Sequence, residues 1–153
     1  MTFGGLDPAK FQANTLTTFA NVNKKGFWEG DMAAVTVNGQ DTGLQGRTAI
    51  LDTGTTLVIA PAQDAATVHS LIQGAQPDGQ GGFTVPCTLN DSVALTFGGK
   101  SFAIDPRDIA QTPVDPANPT GDCTSGISSG NIGGATEWLV SVTQILSLTS
   151  TIH

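Results

Sequence analysis

Short apolar runs rich in β-branched residues recur along the chain between residues that favour turns, the pattern of strands in a sandwich or a folded-over sheet. The runs are Ala33 to Val37, Ala49 to Leu51, Leu57 to Ala60, Phe83 to Val85, Val93 to Phe97 and Phe102 to Ile104. Between them stand Asn38-Gly39, Asp78-Gly79, Gly81-Gly82 and Gly98-Gly99, dipeptides that tolerate positive φ. One segment reads as a good helix: Pro61 suits a first turn, Ala65, Val68, Leu71 and Ile72 share a face, and Gly74 ends it. From Thr112 to Gly134 the chain carries Pro113, Pro116, Pro119 and five glycines with few apolar residues, which predicts a long surface excursion. The reading is mainly β with one or two short helices.

The chain has 153 residues, enough for one domain with its own core. Its net charge of −7 has the wrong sign for attracting phosphate backbones and excludes nucleic acid as a partner. With 12% charged residues and no tyrosine, the surface is built from Thr, Ser, Asn, Gln and Gly, which excludes charge-laced bundles and coiled coils. No run approaches the ~18 apolar residues of a membrane span. Met1 to Lys10 also lacks the basic region and apolar stretch of a signal peptide, so no membrane segment and no signal peptide are expected in this chain. Cys87 and Cys123 lack zinc-site clustering, and by themselves they are one disulfide or two free thiols.

The strongest chemical signal is Asp52-Thr53-Gly54-Thr55-Thr56 set between the apolar runs Ala49 to Leu51 and Leu57 to Ala60. A carboxylate between buried strands is costly unless hydrogen-bonded, and the flanking hydroxyls and the glycine amide can supply those bonds. A bare Asp-Thr-Gly is ordinarily an Asx turn. The chain holds its own control in Asp41-Thr42-Gly43, the same tripeptide in a polar setting, which reads as a hairpin turn.

These features together resemble the carboxy-terminal lobe of a pepsin-like aspartic protease of the secreted fungal type, from Thr2 to about residue 140. The resemblance rests on Thr2-Phe3-Gly4-Gly5-Leu6-Asp7 followed by Lys10-Phe11, on Gly26-Phe27-Trp28-Glu29-Gly30-Asp31-Met32, on Ile50 to Thr56, and on Pro61 to Gly74. It implies a single lobe of bent antiparallel sheets and pairs Cys87 with Cys123 as the lobe's disulfide. It also implies a mechanism in which two aspartates, one from each lobe, share a proton and activate the water that attacks a peptide carbonyl. Two carboxylates about 3 Å apart cannot both ionise, so one serves as base and the other as acid, as in pepsin itself. By position Asp52 is one member, Thr53 locks its loop to the partner lobe, Gly54 admits the partner's backbone, and Thr55 hydrogen-bonds the carboxylate.

Departures from the family pattern set further expectations. A complete member is about twice as long, and its other lobe supplies the first aspartate and a flap tyrosine that this chain lacks. Where the family has a glycine after the Trp-Leu-Val strand, Ser141 stands here, and residues 141–153 read as a divergent tail replacing the final strands of a lobe at 1–140. The expectation is an aspartic endopeptidase lobe acting on peptide or protein substrates, extracellular in its parent family, with no cofactor and no metal. Alone it is expected to be inactive, needing the amino-terminal lobe or a homodimer partner; the alternative is a non-catalytic peptide- or protein-binding domain.

Smaller signals carry less. Asn90-Asp91-Ser92 is a glycosylation sequon in a predicted loop. His69 reads as solvent-facing or partly packed rather than a ligand, and Trp28 and Trp138 read as core or edge packing. Asp105, Asp108, Asp115 and Asp122 are too dispersed for a calcium loop, and Lys24-Lys25 reads as an isolated basic pair on a turn.

Overall fold

The computed structural model describes residues 7–10 and 14–141. After a 3-10 turn at Pro8–Lys10 come β1 (Glu29–Val37), β2 (Gln40–Asp41), β3 (Arg47–Asp52), β4 (Val58–Ala60) and helix α1 (Ala62–Ser70). The chain continues through β5 (Gln76–Pro77), β6 (Phe83–Pro86), β7 (Val93–Phe97), β8 (Lys100–Ile104) and the single-turn helix α2 (Pro106–Ile109). Four strands close it: β9 (Ala110–Pro113), β10 (Asp122–Ser125), β11 (Ile127–Ser129) and β12 (Glu137–Ser141). All six runs expected as strands contain strands, with β4 starting at Val58 instead of Leu57, and the mainly β lobe with two short helices is present.

The larger sheet has the order β11-β4-β12-β3-β1-β7-β8, with β2 on β1, and the smaller one runs β5-β6-β10-β9. Most pairings are antiparallel, but β12 lies parallel to β3 and β11 parallel to β4. Parallel neighbours cannot be joined by a tight turn. The chain therefore leaves β3, passes through α1 and the smaller sheet, and returns to lay β12 beside it. That return defines the position of the site.

Alternation sets the core. Met32, Val35 and Val37 of β1, and Val93, Leu95 and Phe97 of β7, turn inward against Ala65 and Val68 of α1. Trp138 of β12 is fully buried at its centre. Pro61 takes the N-cap position just ahead of α1 rather than a place in its first turn, and Gly74 past its end adopts φ +83°.

Four expectations need correction. The stretch from Thr112 to Gly134 is not one surface excursion: β10 and β11 lie within it, because Cys123, Ser125 and Ile127 alternate inward and bury their side chains. The β1–β2 hairpin turns at Asn38-Gly39, both with positive φ, and of Asp41-Thr42-Gly43 the first residue closes β2 while the other two leave the hairpin, so the tripeptide does not form its tip. His69 is 4% exposed, not solvent-facing: its ring stacks on Phe83 and its Nε2 lies 2.9 Å from the Ser125 hydroxyl, pinning α1 to the smaller sheet. Trp28 is 74% exposed instead of packed in the core or at an edge. Beyond Ser141, the tail expected over residues 141–153 lies outside the described residues.

Candidate active site

Asp52 is the last residue of β3, and in the parallel ladder Ser141 of β12 lies opposite it. The chain turns sharply after it, and the carboxylate folds back over that turn. Its Oδ1 accepts from the Gly54 amide at 2.9 Å, and its Oδ2 accepts a short hydrogen bond from the Thr55 hydroxyl. The Thr55 hydroxyl, and after it the Gly54 amide, hold the Asp52 carboxyl below the ordinary carboxylate range against a smaller opposing effect of burial. Among the described residues neither of these partners is a second carboxyl group.

Thr53 is exposed at the turn. A Cβ built on Gly54 meets nothing nearer than Asp52 Oδ1 at 3.4 Å, so inside this chain the position has room for a side chain. The control tripeptide makes a similar first contact: Asp41 Oδ1 accepts from the Gly43 amide at 2.8 Å. What separates Asp52 is its second acceptor bond from Thr55 and its seat at the end of a strand flanked on both sides.

The carboxylate opens into a cleft of about 860 Å³ whose walls include Phe27, Trp28, Ile50, Glu137 and Leu139. Thr48, Ile50 and Asp52 alternate onto this face of β3, while Ala49 on the other face is fully buried. One wall is the segment from Val22 to Glu29, joined to β3 by the Leu51 amide donating to the Trp28 carbonyl at 2.7 Å. The Glu29 carboxylate, 9% exposed as a residue, accepts from Asn23 Nδ2, and hydrogen bonds from Thr48 and Asn23 hold it below its ordinary range.

Behind the cleft sits a cluster that sequence reasoning missed. Asp64, at 1% exposure near the start of α1, accepts from Arg47 Nε at 2.8 Å, Arg47 Nη2 at 2.7 Å and Trp138 Nε1 at 2.9 Å. Burial pushes its carboxyl up, but the Arg47 and Trp138 bonds outweigh that and hold it low. The available signal was an Asp inside an otherwise apolar helix face, which demands a partner. Cys87 and Cys123 form a disulfide with their Cα atoms 4.9 Å apart. Asn90 is exposed in the loop before β7. Asp105 caps α2 and pairs with Arg107. Among the described residues no three metal-ligating side chains converge, and no helix is long and apolar enough to cross a membrane.

Residues 1–140 match the family described as eukaryotic aspartyl protease. The chain belongs to the eukaryotic aspartyl protease family. Its similarity extends to fungal members. It is 36% identical over 141 residues to "Probable aspartic-type endopeptidase CTSD" of Arthroderma benhamiae, covering 92% of this chain and 26% of that protein. It is 35% identical over 131 residues to "Rhizopuspepsin" of Rhizopus chinensis, covering 84% and 31%. "Probable vacuolar protease A" of Arthroderma benhamiae is 34% identical over 111 residues, covering 71% and 27%. The aspartyl protease chain thus spans roughly a quarter to a third of the length of these relatives.

Proposed function

We propose that this chain acts as the carboxy-terminal lobe of an aspartic-type endopeptidase, with Asp52 as one of the two carboxylates that activate water for peptide-bond hydrolysis. The observation that carries the reading is the Asp52 carboxylate itself, held by Gly54 and Thr55 at the strand end and open to a peptide-sized cleft. A carboxyl with a lowered pKa stays ionised in acid, which suits the base. The acid partner must keep its proton, and a second carboxylate brought beside Asp52 acquires that property by like-charge repulsion.

The second carboxylate comes from an amino-terminal lobe or from a two-fold copy of this chain. Two features favour an outside partner. Gly54 has no neighbour within the chain that requires its small size, so the space there suits a second backbone, and Thr53 is exposed at the junction where it can lock the two loops. The isolated lobe is therefore inactive as a monomer. On the same reading the Cys87–Cys123 disulfide belongs to an oxidising, extracellular setting, and exposed Asn90 is a glycan acceptor there.

A second reading, a non-catalytic peptide- or protein-binding domain, is favoured by exposed Phe27 and Trp28 in the cleft wall. Mixing the chain with a separately produced amino-terminal lobe decides between them. The protease reading expects acid cleavage of a denatured protein by the mixture, abolished by Asp52→Asn. Cleavage that survives Asp52→Asn overturns the assignment, and saturable peptide binding without cleavage in the mixture supports the binding domain.

A further inference from the structure

The sequence contains two glutamates, Glu29 and Glu137, and the fold joins their side chains by a hydrogen bond. In the β1–β3 ladder Glu29 lies opposite Ile50, and in the β3–β12 ladder Glu137 lies opposite Thr48. The pair therefore reaches across β3 on the face that carries Asp52, and both glutamates line the cleft. An ionised carboxylate only accepts, so a hydrogen bond between two of these groups needs a proton on one of them.

Glu29 is the hub of the cleft wall. Its amide donates to Asn21 Oδ1 at 3.1 Å, and its carbonyl accepts from the Val22 amide at 2.9 Å. Its carboxylate accepts from the Thr48 hydroxyl and, at 2.5 Å, from Asn23 Nδ2. Thr48 first and Asn23 next favour the ionised form, with Glu137 and then Lys25 adding to them against the effect of burial. The proton of the pair therefore resides with Glu137. That side chain is half-buried at the cleft, and two glycines leave it room: a Cβ on Gly133 would come 3.3 Å from Glu137 Oε2, and one on Gly134 would come 3.3 Å from Glu137 Cβ.

The other charges facing the pair do not replace this bond. The wall brings Lys24 and Lys25, β1 brings Asp31 opposite Thr48, and the end of β3 brings Asp52. Residues 132–134 bring none, and Arg47 is paired with Asp64. Lys25 is exposed and has the smallest influence on Glu29, so it softens a repulsion between two ionised glutamates without cancelling it. Asp31 and Asp52 add to that repulsion.

We infer that Glu29 and Glu137 form a one-proton latch that fastens the wall of the cleft to β12 in acid and opens as that proton passes to water toward neutral pH. With the proton present, a carboxylic acid donates to a carboxylate across β3, a short and strong kind of bond. Without it two like charges are left in contact, and Glu137 turns away because Glu29 stays held by Asn23 and Thr48. The cleft is then fully walled only in acid. The latch goes beyond the proposed catalytic reading and does not depend on it, since neither of its members is Asp52.

Because the chain has no other glutamate, a carbon-13 label in the glutamate carboxyls gives NMR signals from this pair alone. In a titration of the isolated chain from about pH 3 to about pH 7, both signals are expected to move in the same two steps, since each proton belongs to the pair. In Glu137→Gln the Glu29 signal is expected to move in a single step. The Gly133 and Gly134 amide signals are expected to follow the upper step in the parent and to lose that movement in the variant. The variant's carboxamide donates to Glu29 at every pH. Its unfolding constant in urea should therefore be about two- to fivefold smaller than the parent's near pH 7, the scale of one partly exposed charge pair, and equal to it near pH 4. His69 and the aspartates are the same in both proteins and drop out of the comparison. Independent single steps for the two glutamates, a Glu29 curve unchanged by Glu137→Gln, or a variant no more stable than the parent near pH 7 overturns the latch. None of these outcomes bears on whether Asp52 is catalytic, which the cleavage assay with the amino-terminal lobe reads separately.

Discussion

Trp138 Nε1 donates to Asp64 Oδ2 at 2.9 Å, and the same oxygen accepts from Arg47 Nε at 2.8 Å. Through that one carboxylate α1 ties β12 to β3, and these are the strands whose ends place Ser141 opposite Asp52. The aspartate that does the structural work is thus distinct from the aspartate that faces the cleft.

Removing that tie leaves the partly exposed Arg47 with only the Gln45 carbonyl and the buried Trp138 indole without its acceptor. Asp64→Ala is expected to destabilise the lobe by about 1–3 kcal/mol, the usual cost of leaving a buried donor unsatisfied. Replacing Arg47 and Asp64 together by apolar residues of similar volume costs less. Urea unfolding followed through tryptophan emission checks both, and equal losses for the single and double variants would count against the account.

The carboxylate in the cleft answers to a different neighbour. Because the Thr55 hydroxyl is the largest influence holding Asp52 low, Thr55→Val is expected to raise the Asp52 pKa toward its ordinary 3.8. Carbon NMR of the aspartate carboxyls across an acid titration measures it. No upward movement in the variant would mean that Thr55 does not tune this group.

His69 sets a pH limit on the fold. Its pKa is lowered from 6.5 chiefly by burial, against an opposing hydrogen bond to the Ala65 carbonyl. The unfolded chain therefore takes up this proton first, so the contribution is complete above the unfolded value and is lost as the pH falls through the folded one. Stability is expected to decline as pH drops below about 6.5, with Glu29 and Asp64, whose pKa values are also lowered, adding to the loss at lower pH. Denaturant midpoints from neutral to acid pH show this, and His69→Gln should flatten the decline in its upper part.

Reduction tests the covalent tie. Cys87 and Cys123 are 36 positions apart, and opening a loop of that size removes about 3–4 kcal/mol in the chain-entropy model. Urea midpoints with and without reductant should differ accordingly, whereas coincident curves would show that the bridge does not stabilise the fold.

The strands and the acid were legible because both are local. Val93 to Phe97 alternates or runs apolar between Asp91-Ser92 and Gly98-Gly99, and Asp52 stands between two such runs with hydroxyls around it. Partnership across the chain was not legible. His69 finds Ser125, 56 positions away, and Asp64 finds Trp138, 74 away, and no local pattern encodes either bond. The prolines and glycines after Thr112 mask three inward residues, Cys123, Ser125 and Ile127, so the strands there carry no local signal. Residue type alone points Trp28 to packing, whereas its side chain lies exposed on a loop held by asparagines.

The kinetic order of acid proteolysis tests the half-site most directly. The chain alone is incubated with a denatured protein at acid pH over a wide concentration range, beside Asp52→Asn. The account predicts no cleavage that rises in simple proportion to chain concentration, and it predicts that any cleavage seen rises with the square of concentration and vanishes in Asp52→Asn. Proteolysis linear in chain concentration, or untouched by Asp52→Asn, would contradict it.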